Sequence, residues 1–382
     1  MKIKLQQNIL IDKIIYNKKS KKRNPGIDFV RVLGQFAIIL THLLHCGKAI
    51  EIYSKHRKQL ISLNILTSFH NNSFILISGI VGYRTNKYSN LLYLWLTVLF
   101  YSIIIHISFK LFKKNFIEKN EIYTEFFPLI FRRYWYFTTY FGMYLFLPII
   151  NKGISCLTMP EFKLIIASTL GIFIFWRDLM NQKHDIFNIG EGYTVIWLLI
   201  YYLTGAFIGK YPIKYCGIKK YFFCFICLFL YLFVAFLYIN VHIYPSKIYF
   251  IKNILFFIKK LLTERMDSLL KITESITLCL FFLQISFNKY IAKVICFLGP
   301  KAFDIYLIHN HTVVRHNILR PIFYYEPKNI ECYFLILLLL WKSLKIFVLC
   351  IIIAYIRSLL FYLMNIRKIC INFEEIIFKM IN

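Results

Sequence analysis

The stretch Tyr333-Phe-Leu-Ile-Leu-Leu-Leu-Leu-Trp-Lys-Ser-Leu-Lys-Ile-Phe-Val-Leu-Cys-Ile-Ile-Ile-Ala-Tyr-Ile-Arg-Ser-Leu-Leu-Phe-Tyr-Leu363 decides the fold class. A bilayer crossing needs about 20 mostly apolar residues, each rising about 1.5 Å along a helix. This stretch exceeds that length, and its only charges are Lys342, Lys345 and Arg357. Leu91–Ile107 and Tyr221–Ile239 read the same way. A soluble chain would have to bury all three on every face, and a chain of this size cannot enclose so many fully apolar helices.

Composition points the same way. Of the 382 residues, 59% are hydrophobic and 17% charged, against roughly 45–50% and about 25% in soluble domains. That hydrophobicity excludes intrinsic disorder. The 14 Gly and 9 Pro, without a period, exclude a collagen-like fibre. The expected fold is an all-α integral membrane protein, a polytopic bundle of about ten transmembrane helices. The spans fall near 28–46, 66–84, 90–109, 131–150, 162–176, 192–210, 221–240, 269–287, 293–313 and 333–356. Ile248–Leu262 is apolar on balance but carries Lys252, Lys259 and Lys260. Three lysines are costly in hydrocarbon, so an interfacial helix is preferred there to an eleventh span.

Three parts are expected: a basic lead-in over 1–27, a transmembrane domain over 28–363 and a short cytoplasmic tail over 364–382. The first 23 residues hold eight Lys/Arg, and Leu10, Ile11, Ile14 and Ile15 fall at helical spacing. This suits a helix on the cytoplasmic membrane surface, ended by Pro25 and Gly26. No compact apolar core runs into a small-residue cleavage site, so the first span is expected to insert the chain itself. An even span count then puts both termini on the cytoplasmic side. The 47 Lys/Arg against 18 Asp/Glu give a net charge of +29. These lysines are scattered through short loops between apolar blocks, which suits anionic lipid headgroups and makes nucleic acid an unexpected partner. Cys224-x-x-Cys227 stands alone inside an apolar block, whereas a zinc site needs four ligands. It reads as a pair of small buried hydrophobes.

An ionisable group inside a span is expensive, so it is either functional or tightly paired. Three places carry such groups. In the opening span, Asp28 and Arg31 are three apart and can pair on one helix face. Arg31 and His42 are eleven apart, about 1100° of rotation, within roughly 20° of three turns and about 16 Å along the axis. Gln35 lies near the same face. Histidine is the natural general base near neutral pH; the competing reading has Arg31 and His42 at opposite membrane interfaces. In the next span, His70, Asn71 and Asn72 are candidates to line a cavity mouth. Ser78, Gly79 and Gly82 permit close helix packing, the safer assignment for the glycines. Late in the chain, Tyr306 shares a helix face with His309, and His311 with Arg315. His309 and His311 do not face each other on a helix, and no acidic pair completes a metal set, so no metal is expected. Arg132 and Arg133, before Tyr134-Trp-Tyr136, form either an aromatic belt at the interface or a site for an anionic group.

These residues together resemble the acyltransferase-3 family of multispan membrane proteins, which modify cell-surface glycans and related acceptors. Arg31 and His42, with ten positions between them, carry the first part of the resemblance, inside Gly26-Ile-Asp-Phe-Val-Arg-Val. Ile77-Ser-Gly-Ile80 resembles the second-span motif, with Ile80 where an aromatic is common. Tyr134-Trp-Tyr136 with Tyr144-Leu-Phe-Leu-Pro148 resembles the fourth span, and Phe303-Asp-Ile-Tyr-Leu-Ile-His309 the late signature. The resemblance implies transfer of an acyl group, most often acetyl, from acyl-CoA to a sugar hydroxyl. It implies no bound cofactor, acyl-CoA (acetyl-CoA first) as co-substrate, and a surface carbohydrate or lipid-linked glycan as acceptor. It places a multi-pass protein among membrane lipids, with the plasma membrane expected. His42 matches the family's essential histidine and Arg31 its basic partner. Asp28, Gln35, His70, Asn71, Ser78, Arg132, Arg133, Tyr306, His309 and Arg315 are candidates for substrate or donor binding. A multispan transporter or lipid-linked glycan flippase is the competing class, separated from the first by whether acyl transfer occurs.

Overall fold

The computed structural model describes residues 23–112, 122–176, 187–243 and 261–381. Most of the basic lead-in and of the expected interfacial helix lies outside them. The first helix, α1, spans Pro25–His45. It starts where it does because Asn24 Oδ1 accepts from the Gly26 and Ile27 amides, at 2.8 and 3.4 Å, and Pro25 occupies a first-turn position that has no amide to satisfy. Asp28 in its first turn and His42 and His45 in its last suit the helix dipole. The following helices are α2 (Arg57–Leu66), α3 (His70–Gly82), α4 (Tyr88–Phe112), α5 (Tyr123–Phe126), α6 (Trp135–Cys156) and α7 (Met159–Leu170). They continue with α8 (Val195–Lys210), α9 (Gly217–Tyr238), α10 (Leu269–Gln284) and α11 (Lys289–Leu298). The chain closes on α12 (Ala302–His309), α13 (Cys332–Leu363) and α14 (Ile366–Ile381).

The all-α class stands, but the expectation of about ten spans does not. Among the described residues, five helical segments are long and apolar enough to cross a membrane: Pro25–His45, Ser54–Gly82 (α2 and α3 with the turn between them), Tyr88–Phe112, Gly217–Ile243 and Cys332–Leu363. The other five expected spans fail for identifiable reasons. Helices α8 and α10 have 16 residues each, about 24 Å of rise against about 30 Å of hydrocarbon. The apolar run over 293–313 is broken by Gly299 and Pro300 into α11 and α12, and α12 ends at His309. Helix α7 has 12 residues, two of them charged (Glu161 and Lys163), and gives way to a π-helical segment over Gly171–Trp176. Helix α6 is long enough, but Thr138, Thr139, Asn151 and Lys152 lower its apolarity. Trp197, Tyr201 and Tyr202 of α8 are fully buried, whereas Ile149 of α6, Leu164 of α7 and Val294 of α11 are exposed.

Helix α1 sits inside the bundle, touching α3, α10, α11, α12 and α13. Close approach depends on glycine at a few points. A Cβ on Gly79 of α3 would lie 2.1 Å from the Tyr202 carbonyl of α8, and one on Gly205 of α8 would lie 2.0 Å from the Leu76 carbonyl of α3. These two helices therefore pack backbone to backbone, as small residues at an interface allow. Past His45 the chain folds over the C-terminal end of α1. Gly47 packs on Leu319 and Phe323, and His56 Nε2 meets the Ile330 carbonyl at 2.9 Å. The stretch expected as a tail carries α14, held to α4 by Glu374 accepting from the Tyr88 amide at 2.6 Å and by Arg367 donating to Asn90 at 3.0 Å.

Candidate active site

The two ends of α1 carry different chemistry. At the N-terminal end Asp28 is completely buried. Its carboxylate accepts from Arg31 at 2.7 Å, from Arg23 Nη2 at 2.9 Å, and also from Arg23 Nε. Two guanidinium groups thus neutralise one interior carboxylate, the pairing that makes a buried charge tolerable. Gly299 leaves room for it: a Cβ there would lie 2.5 Å from Asp28 Oδ1. Arg23 and Arg31 also line a cavity of about 330 Å³, together with Gln35, Asn71, Ser78 and Tyr306. Ile38 lines it as well. His42 lies four residues beyond Ile38, one helical turn or about 6 Å. The cavity therefore follows α1 from its arginine end almost to its histidine end.

At that second end, the rings of His42 and His309 face each other with centroids 5.1 Å apart and planes inclined at 51°. His309 is the last residue of α12 and is fully buried. Its Nδ1 meets the Ile305 carbonyl at 2.5 Å. A carbonyl only accepts, so this nitrogen carries the proton and Nε2 keeps its lone pair. Neither His309 Nε2 nor His42 Nδ1 has a hydrogen-bond partner among the described residues. A buried polar atom left unpaired costs about 1–3 kcal/mol, so each of the two calls for an explanation.

The other expected site residues divide. Gln35, Asn71, Ser78 and Tyr306 are brought together on the cavity wall. His70 is buried beside Asn72, which donates to the Met266 carbonyl at 2.7 Å and accepts from Trp197 Nε1 at 3.2 Å. Arg315 is exposed and reaches Cys46 Sγ at 3.1 Å, just past the end of α1. Arg132 is exposed, with φ +50. Arg133 is committed to an ion pair with Glu125 and donates to Thr124 at 2.7 Å. Tyr134 and Phe137 are buried in the bundle.

Sequence reasoning missed several polar clusters, two of them on and beside α12. Asp304 on α12 pairs with Arg357 on α13 at 2.6 Å, and Arg357 also donates to Tyr93 Oη at 2.9 Å. Arg357 was visible as a charge inside an apolar run, but its partner was not. The second cluster centres on Glu125, also completely buried. Besides Arg133, it takes a hydrogen bond from Ser102 Oγ at 2.5 Å and lies 3.5 Å from His106 Nδ1 and 3.6 Å from His311 Nε2. Burial raises its pKa, but His311, Ser102 and Arg133 outweigh that and hold the carboxyl below its ordinary value. The only signal for it was the rarity of acidic residues, 18 in the whole chain.

Apolar spans around a cavity lined by Arg23 and Arg31, with the His42–His309 ring pair one helical turn beyond Ile38 of its wall, define the class of the molecule, a membrane protein with buried polar groups along its first helix. The family model of the acyltransferase-3 acyltransferase domain matches residues 24–363, and the chain belongs to that family. It is a multi-pass membrane acyltransferase. No curated protein and no solved structure matches it.

Proposed function

We propose that this acyltransferase moves an acyl group, acetyl first, from acyl-CoA to a hydroxyl of a surface carbohydrate or lipid-linked glycan, with His42 as general base. The observation that carries the reading is the pair of unpaired ring nitrogens, on His42 and His309, one turn beyond a cavity whose other end holds Arg31 and Arg23. An acceptor hydroxyl attacks the thioester carbonyl carbon. The new C–O bond forms, the C–S bond breaks, and the hydroxyl proton passes to His42 and from there to the departing thiolate. In this reading the two rings, 5.1 Å apart at their centroids and not hydrogen-bonded to each other, close on binding so that His309 Nε2 accepts from His42 Nδ1–H, which leaves His42 Nε2 as the basic nitrogen.

Arg31 serves the donor. About 16 Å along α1 separates it from His42, so the two do not act on one atom, and the arginine end suits the phosphates of a long donor. Gln35, Asn71, Ser78 and Tyr306 line the path between, and His70 and Arg315 flank the acceptor end. Asp28 holds Arg31 in place. In this reading the residue 1–27 lead-in is cytoplasmic, residues 28–363 form the catalytic membrane domain, and the membrane is the plasma membrane; the even span count that placed the 364–382 tail on the same side does not hold with five spans among the described residues. The test is to express the wild type and His42→Ala and to profile base-labile glycan esters by mass spectrometry. The expected result is loss of the esters with unchanged amounts of protein in the membrane. Full retention of the esters in the variant would contradict the assignment.

A further inference from the structure

Glu125 ties together three segments that are far apart in sequence, and one of them carries His309. Ser102 and His106 come from α4, Arg133 from the segment before α6, and His311 from the turn that ends α12. His311 is fixed at both ring nitrogens. Its Nδ1 accepts from the Val313 amide at 3.2 Å, so its Nε2 carries the proton and points to the Ser102 carbonyl at 3.2 Å and to Glu125 at 3.6 Å. The backbone between the two histidines is equally constrained. The Asn310 amide donates to the Tyr306 carbonyl at 3.1 Å and the His311 amide to the Ile308 carbonyl at 3.4 Å. His309 therefore sits on a turn anchored on one side by α12 and on the other by His311. Tyr134 bridges the remaining gap, its ring 6.2 Å from that of His311 and 6.0 Å from that of Tyr306.

We infer that Glu125 is a positioning residue for acyl transfer: through His311 it sets the turn that holds His309 against His42. The inference rests on the proposed two-histidine site. Glu125, Ser102, His106, Arg133 and His311 are not among the residues that line the cavity, so the influence of Glu125 must travel through the protein. The Arg133 pair has a separate consequence. It compensates the buried carboxylate, so Arg133 is spent on this network and not on an anionic substrate.

Two measurements on the full chain in lipid nanodiscs test this. The first needs no activity. Ring resonances of the 10 histidines, assigned by loss in His309→Ala and His311→Ala, are compared in wild type, Glu125→Gln and Glu125→Asp. Glu125→Gln is expected to move both the His311 and the His309 signals, and Glu125→Asp to restore most of the shift. A His309 signal unmoved in Glu125→Gln would overturn the inference whatever the enzyme's chemistry. The second measurement is a double-mutant cycle on labelled acetyl transfer from acetyl-CoA into alkali-labile ester. Glu125→Gln alone is expected to lower kcat about tenfold with donor KM within about twofold. Added to His309→Ala it should cost less than about twofold more, because both changes break one unit. Multiplicative losses would overturn the inference. If Glu125→Gln does not fold, Ser102→Ala, which removes one hydrogen bond to the same carboxylate, carries both comparisons. Loss of transfer in the wild type itself would count against the proposed reaction and leave the resonance test decisive for Glu125.

Discussion

The arginine end and the histidine end of α1 differ in one physical respect. Around Asp28 the carboxylate is matched by Arg31 and Arg23, and Gly299 leaves room for it. Around His42 two neighbouring histidine rings each keep a buried nitrogen without a partner among the described residues. Burying charges demands compensation, and a compensated cluster is stable but chemically quiet. Leaving basic nitrogens unpaired costs stability, and a fold keeps such a cost where a reaction uses it. In the proposed reading the first end holds the donor and the second reacts, with one continuous helix fixing the distance between them.

Substitutions at the two ends should therefore differ in kind as well as in size. The largest loss belongs to His42→Ala. Removing a general base costs about 10²–10⁴-fold in rate, and kcat for transfer from labelled acyl-CoA should fall in that range while donor KM holds. Next comes Arg31→Ala. Losing a charge-assisted hydrogen bond, about 1.5–3 kcal/mol, should raise donor KM roughly tenfold to a hundredfold. Asp28 keeps Arg23 as partner in that variant, so the protein should still reach the membrane. His309→Ala should be milder. One orienting hydrogen bond of about 1.4 kcal/mol is worth about tenfold in kcat, and His309→Gln should recover part of it.

The smallest effect concerns acid stability. The Glu125 carboxyl titrates below its ordinary value in the folded protein. Its contribution is therefore complete above the unfolded carboxylate pKa of about 4.3 and is lost as pH falls through the lower folded value. Thermal unfolding of the wild type should weaken over that acid window, and Glu125→Gln should show a shallower slope there. An unchanged slope would mean that the Glu125 network holds no charge worth compensating.

Much of this was legible in the sequence, for reasons that can be assigned. The long apolar run of α13 declared a membrane protein because no soluble fold could bury it. The eleven-residue spacing put Arg31 and His42 on one face because helical geometry is local, and the Asp28–Arg31 pair followed from i,i+3 neighbourhood. Span number failed because apolar composition does not measure uninterrupted length. Gly299-Pro300 split one expected span, and α8 and α10 stop at 16 residues. The Glu125 cluster was invisible because its members stand in α4, α5, the segment before α6 and the turn after α12, and no local period connects them. The facing of His42 and His309 also lies beyond periodicity, since it depends on where α12 ends against α1.

The most direct test of the two-ended account is a steady-state comparison of Arg31→Ala and His42→Ala in one assay, donor concentration varied and labelled ester counted. The account predicts a split, with Arg31→Ala raising donor KM at nearly unchanged kcat and His42→Ala lowering kcat at nearly unchanged KM. If both variants change the same constant by similar factors, the division of labour along α1 is wrong.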